Sequence, residues 1–469
     1  MARQSRRRAR IRAGRSPATS PRVPPPLVPV PAQQRAVLLD AQGDRHSGRH
    51  VEQVWWSWHG ALDLERFTAA WHSVADRESV LRAAFEGEPL PRVVFSAQAR
   101  VEVVRHRAGT VDWDDLLAAD RLRGFDVTRP CPLRVTVVEG PVSSRVLLTF
   151  HHGLLDAWSV FVLLDEFGRA YLADGTLPGG ERRPDLRDWT RWRTEQDTAA
   201  AREFFGRTLP AGPAAVLPGR PGPRPAHGGC GRAETRLSTQ QADRLRQWAA
   251  GQALPESSVL HAVWALLLYR AADVSGAAAV RFGVTVSGRG IALDAAERLV
   301  GPVRTCLPAA VRVDPGDPVA HLFATLRDQA LDLAAYEWLS TAQISEWSEA
   351  ADAVLPDSVV SVEAGARPRP DLRAALAEAG VRFGAPHSTG AHTLLSVALL
   401  ARHARDGSLT LAALHDRSRI TDDDARLLLA QCCRLLRRLP SLGGTETVAE
   451  VLAVLGADPA PRVGPPPGG

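Results

Sequence analysis

Apolar and polar residues alternate over Gln53–Trp58, the two-residue period of a strand. The spacing then turns helical over Asp63–Arg77, through Leu64, Phe67, Trp71 and Val74. Val101–Val104, Leu133–Val138 and Arg145–Phe150 read as further strands, and a helix follows over roughly Trp158–Leu172. Gly175–Pro184, rich in Gly, Pro and charge, reads as a link between two lobes. Helices resume near Trp189–Thr208, break at Pro218–Gly231 and continue over Thr239–Gly251 and the mostly apolar Ser257–Ala271. The strands Ala279–Val286, Ser358–Val362 and Thr393–His403 and the helices Val319–Tyr336 and Asp422–Leu439 complete the pattern. Each half mixes strands with covering helices, which predicts an α/β (α+β) fold; no short-period repeat is present. Trp55, Trp56 and Trp58 read as strand packing, because no basic residues interleave them as a base-stacking platform would require.

At 469 residues the chain is too long for one ordinary core and suits two lobes of roughly 150–250 residues. No apolar run approaches the ~20 residues that span a bilayer, so no membrane association is expected. The formal charge of +5 is uneven: residues 1–35 hold nine Arg and no acid, leaving 48 basic against 52 acidic residues. A body of that balance makes no electrostatic case for nucleic acid. The Arg-rich start runs into Pro-rich Val23–Pro31 rather than an apolar stretch, so it reads as a disordered tail and not a secretory signal. Lys and Asn are absent throughout, the mark of a GC-rich coding sequence, so an Arg here carries no message of having been chosen over Lys. Five Cys (131, 230, 306, 432, 433) without a CxxC pair suit neither a disulfide framework nor a zinc site, and a reducing cytoplasm is expected.

Candidate chemistry is concentrated in Leu147-Leu-Thr-Phe-His-His-Gly-Leu-Leu-Asp-Ala-Trp-Ser159. A strand runs into two histidines, and a short turn sets Asp156 just before a helix. Neighbouring strand residues face opposite ways, so only one of His151 and His152 can face a given cleft. Histidine exchanges its proton near neutral pH, which suits general base work. Three roles are open to Asp156: orienting an imidazole indirectly, capping the helix, or pairing with a buried Arg. No GxSxG elbow or HExxH occurs, and Gly228-Gly-Cys-Gly231 is too short and misplaced for a phosphate loop.

His151-His152-Gly-Leu-Leu-Asp156 resembles the HHxxxDG motif of nonribosomal peptide synthetase condensation domains, and other segments match in order. Val51-Glu-Gln-Val54 with Gly60-Ala-Leu-Asp63 is similar to the opening strand and turn. Trp71–Phe85 resembles the RHxxLRxxF segment and Asp188-Trp-Thr-Arg-Trp192 the YxDYxxW segment. Phe282–Arg289 resembles a following strand, and Leu299–Pro308 the VGxFxNTLP segment. The resemblance covers about residues 27–455. It implies two chloramphenicol-acetyltransferase-like lobes, a V-shaped pseudo-dimer with the active site in a tunnel between them. The lobes are expected at 27–183 and 184–455, with tails at 1–26 and 456–469. It further implies that His152 is catalytic and His151 structural. Asp156 matches the Asp that pairs with an Arg, for which Arg82 is the candidate, and Trp192 packs the junction. Ser159, Arg289, Thr305, Cys306 and His392 fall at the tunnel or its acceptor side.

Departures are equally specific. Ala157 replaces the motif Gly, and alanine forbids easy positive φ, so a shifted loop is expected. Thr305-Cys306 stands where Asn-Thr is usual, and Ser361–Gly365 and Gly390–Thr393 lack the usual FENY and NYP residues; His392 reads as a surface histidine. The function implied is a free-standing condensation enzyme, a monomer without a bound cofactor or metal. It takes acyl or aminoacyl groups from the phosphopantetheine arm of a carrier protein arriving in trans and passes them to an amine or alcohol. Two other functions fit the pattern: a coenzyme A-dependent acyltransferase of the same superfamily, and a non-catalytic platform that docks carrier proteins.

Overall fold

The computed structural model describes residues 28–29, 34, 37–38, 48, 50–87, 92–179, 183–209, 214–215, 229–347, 357–363, 369–389, 393 and 395–456. The tails expected at 1–26 and 456–469 lie outside these residues, Gly456 apart. The first strands are β1 (Val28–Pro29), β2 (Val51–His59), β3 (Ala83–Glu86), β4 (Arg92–Phe95), β5 (Glu102–Arg107), β6 (Leu133–Glu139) and β7 (Ser143–His151). The later ones are β8 (Cys230–Leu237), β9 (Ala278–Val286), β10 (Thr305–Val313), β11 (Ser358–Glu363), β12 (Arg382–Phe383), β13 (His387–Thr389), β14 (Val397–His403) and β15 (Leu409–Asp416). Two mixed sheets form, one in the order β12-β2-β7-β6-β5 with β13 also on β2, the other β10-β9-β11-β14-β15-β8. β1, β4 and β3 make a small third sheet. Among the described residues, no helix is long and apolar enough to cross a membrane.

The first sheet carries the helices Leu64–Arg77 and Ala157–Leu172 on one face and Trp113–Arg123 on the other, for reasons readable residue by residue. In the first lobe the helix Leu64–Arg77 starts at Asp63, whose carboxylate accepts the Arg66 N–H. Its stripe of Phe67, Ala70, Trp71, Val74 and Ala75 is buried, and Trp71 stacks on Phe167 of the helix Ala157–Leu172 at 4.7 Å between centroids. Trp56 and Trp58 are buried beneath these helices, as strand packing requires, and Trp55 is half-buried on the other face. In the second lobe the helix Glu256–Ala271 is apolar on nearly every side and accordingly buried along its length.

One segment of chain crosses between the lobes. Within 184–455, the helix Pro370–Glu378 leaves its own lobe and sets Leu372 and Leu376 against Gly168 of the helix Ala157–Leu172. β12 and β13 then pair antiparallel with β2, completing the first lobe's sheet with chain from the second. Two- and three-residue strands carry no period to read, and the pairing is dictated by the edge that β2 offers them.

Candidate active site

The hairpin β6–β7 ends at His151, and the helix Ala157–Leu172 begins six residues later. Neighbouring backbone pins the turn between them. The His151 N–H donates to Pro132 O (3.0 Å), the His152 N–H to His50 O (2.7 Å) and the Leu154 N–H to His151 O (2.8 Å). His50 adopts the left-handed region at φ 58°. Gly153 is closely surrounded: a Cβ there would lie 3.1 Å from His151 Nδ1 and 3.2 Å from Leu38 Cδ2, so these side chains would have to give by a few tenths of an ångström.

The two histidines part company. His151 is buried, and its Nδ1 accepts the Gly153 N–H at 3.1 Å, which leaves the ring proton on Nε2. Burial, followed by the neighbouring His50 and His152, lowers its pKa to about 3, so the ring is neutral. His152 is the opposite case. Its side chain is 48% exposed, its ring makes no hydrogen bond among the described residues, and Nδ1 lies 3.9 Å from Glu52 Oε1. Glu52 in turn lines a cleft of about 230 Å³ between the lobes, whose walls include Phe150 and Trp158 from one lobe and Ser287 and Arg304 from the other.

Asp156 caps the helix by accepting the Ser159 N–H (2.9 Å), and its partner is Arg289, not Arg82. Arg289 Nη1 reaches Asp156 Oδ2 at 2.8 Å and Nη2 reaches Oδ1 at 3.0 Å, a bidentate pair in which both side chains are buried. Arg289 also donates to the carbonyls of Ser287, Leu299 and Gly301, and the Arg304 N–H donates to Asp156 Oδ2 at 3.1 Å. Burial alone would raise the Asp156 pKa. The Arg289 charge, the bonds from Arg289 and those from Ser159 outweigh it and hold the carboxyl below its ordinary value. Ser159 Oγ accepts the Gly301 N–H at 2.9 Å and Trp158 Nε1 donates to Glu297 O at 2.7 Å, so the helix start is tied to the opposite lobe through the side chains of Asp156, Trp158 and Ser159. Arg82 instead donates to the carbonyls of Ser96 (3.2 Å), Ala75 (2.9 Å) and Asp76 (2.5 Å), closing the end of the helix Leu64–Arg77. Charge and proximity in sequence make Arg82 a candidate, whereas the geometry of the interface selects an arginine 133 residues away.

The other expected residues sort as follows. Ala157 is the first helical residue, is not among the positive-φ positions and lines the cleft. Trp192 packs edge-on against Trp338 at 6.3 Å, against the core of the second lobe. Thr305 is buried with its hydroxyl unpartnered among the described residues. Cys306 packs with Val359, Ala398 and Leu414, and burial pushes its thiol up to about 12, which removes it as a thiolate nucleophile. His392 lies outside the described residues. Glu52, Trp158, Gly301 and Arg304 lie in or beside the matched segments, but no local pattern gives them a role; each takes its place by a contact across the fold. Among the described residues, no three His, Cys, Asp or Glu side chains gather as metal ligands would. The arrangement offers a half-exposed imidazole beside a carboxylate that lines an interlobe cleft, on a corner locked by a buried ion pair. Such a ring can take and return a proton.

Residues 27–364 match the family model for the condensation domain. The chain is 30% identical over 355 residues to one of the linear gramicidin synthase proteins of Brevibacillus parabrevis, a stretch that is 70% of this chain and 4% of that one. The chain thus spans a small part of the curated relatives it matches. Its fold superposes on the condensation domain of the Monacolin K polyketide synthase MokA with a TM-score of 0.73, at 16% identity, covering 90% of this chain and 99% of that one. The X-domain from teicoplanin biosynthesis gives the same TM-score at 21% identity, covering 91% and 97%, and is also known in complex with OxyB.

Proposed function

The chain belongs to the condensation-domain family, and from that premise we propose that it transfers an acyl or aminoacyl group from a carrier-protein phosphopantetheine thioester to an amine or alcohol. The division of labour between the histidines supports this reading most strongly: His151 is buried and neutral, while His152 is half-exposed beside Glu52, which lines the cleft.

The nucleophile's lone pair attacks the thioester carbon, forming the C–N or C–O bond and moving the carbonyl π pair onto oxygen. The oxyanion then collapses, the C–S bond breaks, and the pantetheine sulfur leaves with the electron pair. The nucleophile's proton passes to the ring nitrogen of His152 that does not face Glu52, and from there to the departing thiolate. No covalent enzyme intermediate is needed. General base help supplies roughly 10²–10⁴-fold, whereas positioning two reactants supplies about 7–11 kcal/mol. A neutral amine already attacks a thioester, so positioning carries most of amide formation, and an alcohol depends on the base.

The test is transfer from acyl-loaded carrier proteins to a panel of amines and alcohols, followed by mass spectrometry of the phosphopantetheine arm. His152→Ala is expected to abolish ester formation, to leave amide formation with strong amine nucleophiles measurable, and to alter stability by no more than about 0.5 kcal/mol, as suits a half-exposed side chain. Complete loss with a strong amine in the folded variant refutes the positioning share. Coenzyme A thioesters used at a comparable rate would favour the superfamily alternative. The likeness to the teicoplanin X-domain, known in complex with OxyB, supports a second reading, a docking platform; tight carrier binding without transfer to any acceptor would establish it.

A further inference from the structure

The cleft is electrically lopsided. The first lobe's wall presents Glu52 beside His152. The second lobe's wall presents Arg289, Arg304, Arg402 and Glu363. Arg289 is neutralised by Asp156 behind the wall, which leaves two arginines against one carboxylate. Among the described residues neither Arg304 nor Arg402 has a carboxylate within ion-pair distance. Arg304 Nη2 bonds only the hydroxyl of buried Ser361, and Arg402 is exposed. Glu363 stands opposite Arg402 in the β11–β14 register without pairing to it. Around these charges the lining is apolar, with Val54, Phe150, Phe161, Val286 and Val362. Unpaired guanidinium groups on a largely apolar wall are ready to take an anion, and Arg does so with a fork that matches a carboxylate.

Depth decides which anion. The Arg304 backbone N–H bonds Asp156, so this arginine sits at the level of the histidine corner. The phosphate of a phosphopantetheine arm lies a whole pantetheine chain from the reacting carbon and is out of reach of that level. We propose that the Arg304–Arg402 wall binds a carboxylate carried by the substrate itself, so that the cleft selects a donor or acceptor with a free acid group near its reacting end. With the nucleophile turned to His152, the carboxylate spans the cleft to the opposite wall. The inference rests on the transferase reading for its word "substrate", and on the unpaired arginines for the anion.

The test uses the full chain and matched probes, N-octanoylglycine and N-octanoylglycinamide, which differ only in carboxylate against carboxamide. Binding is followed by calorimetry and by the fluorescence of Trp158 in the cleft wall. The carboxylate should bind about tenfold to a hundredfold more tightly, the range for a hydrogen bond to a charged group. In R304Q, R402Q and the double variant that ratio should fall toward one; being a ratio, it is insensitive to the fraction of folded protein. A ratio within twofold in the wild type, or one unchanged in all the variants, overturns the proposal. Pantetheine and 4′-phosphopantetheine form a second probe pair. A phosphate preference removed by the variants, with no carboxylate preference, reassigns the wall to the carrier arm and refutes the substrate carboxylate. Glycine against glycinamide as acceptors, and succinyl against succinamoyl donors on the carrier, test the same ratio in transfer. Binding selectivity lost in the variants, with no transfer to any acceptor, sinks the transferase reading and leaves the anion site standing. Transfer that is indifferent to the carboxylate does the reverse.

Discussion

The molecule builds a hairpin–turn–helix corner twice and uses it differently each time. In the first lobe β6–β7 leads through the histidine turn into the 16-residue helix Ala157–Leu172. In the second, β14–β15 leads through Arg417–Thr421 into the 17-residue helix Asp422–Arg438. Both corners hold a histidine near the strand end and an aspartate near the helix start. In the second, His415 is buried with Nε2 2.8 Å from Asp422 Oδ1, Arg417 bonds the same oxygen at 3.0 Å, and Thr421 caps the helix. Every partner lies within one lobe and the imidazole is fully engaged. In the first, the aspartate is held by Arg289 of the other lobe and His152 is left open. A histidine and an aspartate at a strand end are therefore not the chemistry. Under the proposed transferase reading, what sets the first corner apart is the imidazole left without a hydrogen bond among the described residues.

The largest break in this contrast comes from the interlobe pair. Asp156→Ala or Arg289→Ala strands a buried charge and should cost about 3–5 kcal/mol in urea unfolding, with transfer falling in step. Asp156→Leu combined with Arg289→Leu should cost much less than the two single changes added together, because neither charge is left alone. A single variant that unfolds like the wild type would refute the clasp. The pair also fixes a sign against pH. The Asp156 carboxyl is held below its ordinary 3.8, so its contribution is present above that value and is lost as pH falls further, through the folded pKa.

His151 supplies the next effect, in a different pH window. The folded ring titrates at about 3 and the unfolded one near 6.5, so acid favours the unfolded chain, which binds the proton first. Stability from this residue is complete above pH 6.5 and drains away as pH falls from 6.5 toward 3. His151→Leu should flatten the stability-against-pH curve in that window by up to about 1.4 kcal/mol per pH unit. An unchanged slope would mean that the ring is not held neutral.

How far these corners can be read from the sequence depends on the range of each interaction. The strand into His151, the capping Asp156 and the helix behind it are local, and the spacing shows them within a residue or two. The two-lobed mixed fold is legible for the same reason, since each lobe's period recurs along the chain. The partner of Asp156 is not: 133 residues separate it from Arg289, and Arg82, nearer and equally charged, is occupied by the carbonyls at a helix end. The second corner is hard to see because β15, Leu409–Asp416, interrupts its apolar run with Ala and Thr and shows no clean alternation. The crossover of residues 370–389 is hidden because its strands are too short for any period.

A smaller effect separates the corners by function. His415→Ala removes a buried ring and leaves Asp422 to Arg417 alone, at a cost of about 1–3 kcal/mol, while transfer by the fraction that stays folded should be unchanged. A fall in turnover per folded molecule, measured by active-site titration with a loaded carrier, would show that the second corner reaches the cleft after all.

The smallest change tests whether the first corner tolerates its one departure in the motif. Ala157 occupies the first helical position with an ordinary negative φ, between a cap bonded to Arg289 and a serine bonded to Gly301. Nothing in that geometry asks for glycine. Restoring it with Ala157→Gly removes a Cβ from the cleft wall and frees the unfolded backbone, so stability should fall by up to about 1 kcal/mol. The transfer rate should stay within twofold, because Asp156 and Ser159 set the corner and the side chain at 157 does not. A rate that rises several-fold would show instead that the Ala157 methyl narrows the path to His152, and that a stiffer helix start comes at the expense of substrate access.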